Sequence, residues 1–147
     1  MRAGILIIAA GIFRIAQAQS EPPAVSQPIP YSHKTHLALG LKCQQCHPNP
    51  DPGAAMTIPA AAKCRECHST IADDPIPWVR VYTVPKWVLW NHRSHLKAGA
   101  TCEQCHGDVA QMDVIVKATN VTKMAGCLDC HRAKHATSSC NSCHDLN

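Results

Sequence analysis

Apolar positions in this chain form one early run, and after it only short, interrupted stretches. Ala3 to Phe13 is continuously apolar, flanked by Met1-Arg2 and Arg14 and followed by Ala16-Gln17-Ala18. These 11 residues fall short of the roughly 20 needed to cross a bilayer as a helix. The small-x-small tripeptide is the pattern read by signal peptidase, so residues 1–18 are predicted to be an export signal cleaved after Ala18, with an uncleaved anchor as the alternative. Gln19 to Pro30 carries four prolines and no apolar period, and it reads as a stiff extended leader outside the fold. Beyond it, His33-x-x-His36 and His92-x-x-His95 each follow a good N-cap (Ser32, Asn91) and precede a glycine stop (Gly40, Gly99). Each is predicted to be a short helix. Trp78 to Trp90 is a β-branched run broken by Pro85. It is read as a short hairpin or lid, with Met112 to Val116 as a further strand.

Composition explains why no longer period appears. The 147 residues include three Trp, two Tyr, one Phe and 11 Pro, beside ten Cys and ten His. One small domain is the most this length supports. So few rings cannot build an ordinary core, and groups bound by Cys and His are expected to fill the interior. Lys and Arg number 14 against ten Asp and Glu, scattered and without a basic run, which argues against a nucleic-acid protein. No apolar stretch reaches the roughly 18 residues of a membrane span.

Every cysteine belongs to a Cys-x-x-Cys-His unit: Cys43/Cys46/His47, Cys64/Cys67/His68, Cys102/Cys105/His106, Cys127/Cys130/His131 and Cys140/Cys143/His144. Two intervening residues let both sulfurs reach one edge of a porphyrin, and the next His swings under its iron. This is the attachment signature of c-type haem. Five disulfides, zinc sites or thioredoxin-like redox pairs would use the cysteines but would not require a His after each pair. Five covalent haems c, with iron, are expected.

Five histidines remain, His33, His36, His92, His95 and His135, as many as the irons that need a second axial ligand. Bis-His ligation throughout would leave no iron with a vacant position, suiting electron transfer and not substrate activation. Met124, three residues before Cys127, is the rival to His135. Met56 and Met112 read as packing residues.

Tyr31 to His47 and Trp90 to His106 align without a gap at an offset of 59 and agree at 8 of 17 positions, so the chain contains a duplication. Histidines at i and i+3 lie on one helix face, roughly 5 to 6 Å apart, and cannot take opposite sides of one porphyrin. Each pair must serve two haems, which brings those haems together. His131 and His135, at i and i+4, are likewise not ligands of one iron. The expected fold is a small haem-cored multihaem cytochrome c of short α-helices and loops with little β. It has two duplicated dihaem halves (31–68 and 90–131) and an extra C-terminal haem site (140–144), all within a domain of residues 31–147.

The arrangement H-x-x-H-x6-C-x-x-C-H, in His33 to His47 and again in His92 to His106, resembles the class III multihaem cytochromes c. That resemblance implies that His33 pairs with His47 and His92 with His106, that His36 reaches the haem of His68 and His95 that of His131, and that His135 closes the haem of His144. The five motifs with VYTVPKWVLWNHRSH and TKMAGCLDCHR are also similar to the pentahaem subunit of alternative complex III and to cytochromes accompanying membrane molybdopterin oxidoreductases. This implies quinol oxidation nearby and a membrane-complex partner.

The sequence thus predicts a periplasmic or extracytoplasmic carrier, not an enzyme. It would pass single electrons between a membrane, quinol-linked donor and another redox protein, with no small-molecule substrate. A multihaem reductase with one open haem, a subunit of a membrane respiratory complex and a unit of an extracellular haem filament are the alternatives. Without residues 1–18 the chain keeps 12 basic and ten acidic residues. Ten ionised propionates would take its charge to about −8 and favour a basic partner.

Overall fold

The computed structural model describes residues 24–145; the predicted export signal lies outside them. Seven short α-helices and two 3-10 turns are joined by loops: α1 (His33–Ala38), α2 (Cys43–Cys46), α3 (Ala61–Arg65), α4 (His92–Lys97), α5 (Cys102–His106), turns at Val109–Gln111 and Asn120–Thr122, α6 (Met124–Ala133) and α7 (Cys140–Cys143). None of these helices is long and apolar enough to cross a membrane.

The helix ends follow their sequence signals. Ser32 Oγ accepts from Thr35 N, and Asn91 caps α4 by accepting from Ser94 N, each satisfying an otherwise orphaned donor of a first turn. Gly40 and Gly99, at φ +84° and +83°, reverse the chain after α1 and α4. Left-handed backbone of this kind carries least strain without a Cβ. Four of the five Cys-x-x-Cys pairs begin a helix or lie within one, and Cys64 sits near the end of α3.

The expected hairpin does not form among the described residues. The one β contact is an isolated antiparallel bridge between Val88 and His144. The backbone of Trp78 to Trp90 is divided among separate partners: Val79 N donates to Gln27 Oε1, Leu89 N to Cys143 O, and Val88 N closes a turn onto Pro85 O. Proline and competing partners leave no continuous ladder. Met112 to Val116 is spent in the same way, its carbonyls accepting from Lys34, His33 and Val25. The leader from Val25 onward is extended, as read, but bonded into the body. Val25 N donates to Val116 O at 2.8 Å and Gln27 Nε2 to Val79 O at 2.8 Å.

Among the described residues Ala61 is the sole buried apolar side chain. A chain of this length normally encloses a side-chain core; here the walls instead surround open clefts. The small helix-and-loop architecture without strands, built on two like halves, is the one anticipated for a class III multihaem cytochrome.

Candidate haem-binding sites

Repetition within the chain produces repetition in space. α1 carries His33 and His36, and α4 carries His92 and His95. The ring of His33 lies parallel to that of His47 with centroids 6.4 Å apart, and His92 faces His106 at 6.5 Å with an interplanar angle of 1°. His36 meets His68 at 6.1 Å and His95 meets His131 at 6.0 Å. Direct ring stacking would be closer. Two imidazoles bound to opposite sides of one metal, each through a bond of about 2 Å, place their centroids roughly 6 Å apart. The four separations fit that geometry.

Hydrogen bonding prepares these rings as donors to a metal. Nδ1 of His47 contacts Thr57 O at 2.8 Å, Nδ1 of His131 contacts Thr137 O at 2.5 Å, and Nδ1 of His36 contacts Ser32 O at 2.7 Å. His95 pairs with Asn91 O at 2.9 Å and His92 with Ala54 O at 2.8 Å. A carbonyl can only accept, so Nδ1 carries the proton and Nε2 keeps the lone pair. Trp90 Nε1 lies 3.2 Å from His92 Nδ1, but the shorter carbonyl contact decides the tautomer. Burial, followed by neighbouring imidazoles, lowers the pKa of His106; burial also outweighs the opposing Asp113 carbonyl bond at His33. Both effects favour the neutral, ligating form.

An aromatic ring holds the second histidine of each pair. Tyr31 stacks on His36 at 4.3 Å and Trp90 stacks on His95 at 4.2 Å. The two aromatics occupy equivalent places in the repeat, which is the only sequence signal they gave. Tyr82 packs edge-on against His106 at 4.4 Å; no motif announced it.

All ten cysteines are free thiols, which does not favour the disulfide reading. No cluster of three or more His, Cys, Asp or Glu ligands forms among the described residues, and the zinc reading gains no support. The thiols instead border clefts with apolar walls. A cavity of about 300 Å³ is lined by Cys43, Cys46, His33, His47, Cys102 and His106, among others, and one of about 380 Å³ by Cys46, Cys64, Cys67, His36 and His68. Paired thiols, a neutral imidazole on each side and a greasy cleft form the donor set and shape that a covalently attached haem requires.

The fifth motif differs. The structure brings the ring of His144 against Trp87 at 5.3 Å, and its Nδ1 is buried without a hydrogen-bond partner. His135 does not join it. Exposed after the end of α6, His135 has φ +53° and takes the left-handed stop position that glycine takes after α1 and α4. Met124, its rival, is 64% exposed at the start of α6.

Comparison with known proteins follows the same division. The Class III cytochrome C family matches residues 11–78, and the family of cytochrome c7 and related cytochrome c matches residues 88–145. The chain is also 33% identical, over 97 residues, to the multihaem cytochrome c subunit of menaquinone reductase from Nitratidesulfovibrio vulgaris. That alignment covers 54% of this chain and 45% of the relative, so the match spans under half of the relative's length. With one family matching each half of the duplication, and with paired imidazoles beside paired thiols in both, this chain belongs to the class III type of multihaem cytochromes c.

Proposed function

We propose that the protein is an exported electron-transfer cytochrome with five covalently held haems c, working beside a membrane-bound, quinone-linked redox complex. Each Cys-x-x-Cys pair forms two thioether links. His47, His68, His106, His131 and His144 bind iron from the attachment side, and His33, His68's partner His36, His92 and His95 bind from the opposite side. Bound in this way, haem supplies reversible one-electron iron chemistry. The protein supplies neutral imidazoles oriented by backbone carbonyls, and apolar walls that lower the local dielectric and so tune the potential. The observation that carries the reading is the set of four facing imidazole pairs at 6.0 to 6.5 Å.

The export signal supports a location outside the cytoplasm, where thioether-linked haem is expected. The likeness to a menaquinone reductase subunit supports a quinone-linked partner. Intact mass of the purified holoprotein tests the haem number and signal cleavage, and low-temperature paramagnetic resonance counts the low-spin irons. Five haems with at least four bis-imidazole signals are expected; fewer of either would refute the reading.

A second reading has one observation in its favour: His144 faces Trp87 rather than a histidine. An iron held there with one protein imidazole would accept a small ligand and make the protein a reductase. Stoichiometric binding of carbon monoxide to one haem, with turnover of a small oxyanion, would establish that reading; carbon monoxide binding without turnover leaves the carrier.

A further inference from the structure

The two halves of the duplication exchange hydrogen bonds. His33 N donates to Asp113 O at 3.2 Å and Lys34 N to Met112 O at 2.8 Å. Moving each donor forward and each acceptor back by the repeat offset gives His92 N to Ala54 O at 3.3 Å and Arg93 N to Gly53 O at 3.1 Å. The histidine rings repeat the exchange, His33 Nδ1 approaching Asp113 O at 3.5 Å and His92 Nδ1 meeting Ala54 O at 2.8 Å. Residue i touching j while the equivalent of j touches the equivalent of i is the mark of an isologous, two-fold contact. Here it lies within one chain.

Residues near a two-fold axis meet their own equivalents. Cys43 and Cys102 are such a pair, and the Cys102 thiol is in hydrogen-bonding contact with Cys43. The same cavity is bordered by His33 and His47 from one half and by His92 and His106 from the other. The first and third attachment sites therefore adjoin at the centre of the molecule.

Outward from that centre the sites follow one by one. On one side α1 supplies His33 to the first site and His36 to the second, and Cys46 and Cys64 line both clefts. On the other side α4 supplies His92 to the third site and His95 to the fourth, with Cys105 near Cys127 and Cys130. The fourth adjoins the fifth: Cys127 lies near Cys143, and Thr137, whose carbonyl orients His131, also bonds through its hydroxyl to Ser142 in α7 at 2.9 Å.

We propose that the five attachment sites form one unbranched series in space, in the order second, first, third, fourth, fifth. The first and third sites are paired across the internal two-fold axis, and the second and fifth are the termini where redox partners are met. This rests on the five-haem reading above and deepens it. Spatial order departs from chain order at one place, since the second motif is an end of the series and the first lies inside it.

The test uses the holoprotein after intact mass has counted its haems. In the fully reduced protein under carbon monoxide every iron is diamagnetic, and proton–proton dipolar contacts in nuclear magnetic resonance spectra report which haems adjoin. Contacts are expected between haems one and two, one and three, three and four, and four and five. Contacts between haems two and three, with none between one and three, would overturn the proposal in favour of chain order. His33→Met gives a second readout, because a thioether ligand raises the potential of the first station. The potentials of the second and third haems should shift with it and that of the fifth should not; a third haem that ignores the change would also overturn the proposal. A preparation with fewer than five haems refutes the functional reading itself. A five-haem protein with a different contact pattern refutes only the order.

Discussion

A single proton decides whether each histidine can serve. Where Nδ1–H donates to a backbone carbonyl, Nε2 is left as the base, and the ring is fixed against rotation at the same time. His36 and His95 take this bond from the carbonyl four residues earlier, at Ser32 and Asn91, so their orientation is set within their own helices. Replacing either by alanine removes one imidazole from one iron but leaves both thioethers. His36→Ala is expected to lose one bis-imidazole low-spin signal in paramagnetic resonance, with no change in haem count by mass. His135 stands apart. It carries a positive φ of 53°, a conformation that costs a side-chain-bearing residue on the order of 1 kcal/mol and glycine little. His135→Gly should retain every bis-imidazole signal and raise the thermal midpoint slightly; loss of a signal would make His135 a ligand after all.

Short helices depend on their ends, because a helix of six residues has too few internal bonds to hold itself. α1 and α4 are of that length, and each must present two histidines in fixed directions. Ser32 Oγ accepts from Thr35 N at 3.1 Å and also donates to Asp113 Oδ1 at 2.7 Å. Removing it by Ser32→Ala should cost about 1 kcal/mol for the cap, read as a lowered denaturant midpoint of the oxidised holoprotein. Asn91→Ala should cost a similar amount, since Asn91 accepts from Ser94 N at 3.1 Å. α6 is longer, and the turn at Asn120–Thr122 packs closely on it at Gly126. A Cβ built there would lie 2.7 Å from Val121 Cα and 2.8 Å from its carbonyl carbon. Gly126→Ala should therefore displace the turn, destabilising the protein by roughly 1 to 3 kcal/mol in the same measurement.

At the scale of the molecule, the reciprocal exchange takes the place of a side-chain core between the halves. Arg93 crosses it, paired with Asp51 and donating to Asn49 O at 3.2 Å. Asp51 is 88% exposed, so the ion pair adds little and the close backbone approach matters more. Gly53 permits that approach. It has φ +93°, and a Cβ there would stand 2.7 Å from Arg93 Cβ. Gly53→Ala should loosen the contact between the two halves, lowering the thermal midpoint by the equivalent of roughly 2 kcal/mol. The reciprocal site differs, because Met112 and not glycine stands opposite Lys34.

Which residues can carry the chemistry was legible in one dimension, because the requirements are local. Cys-x-x-Cys-His is a geometric constraint between neighbours, and Ser32, Asn91, Gly40 and Gly99 act within one helical turn. The His33–His47 and His92–His106 meetings span few residues and follow from the same pattern. What lay beyond the sequence was the partition of backbone hydrogen bonds over long separations. Trp78 to Trp90 has strand-like residues but gives its donors and acceptors to Gln27, Cys143 and Pro85, while His144 meets Trp87 instead of the histidine nearest to it in the chain. The juxtaposition of Cys43 with Cys102 was equally hidden, since alignment of two repeats does not say how the copies face one another. Only the folded chain, through the exchange of carbonyls at Gly53, Ala54, Met112 and Asp113, decides that the halves meet at their first sites.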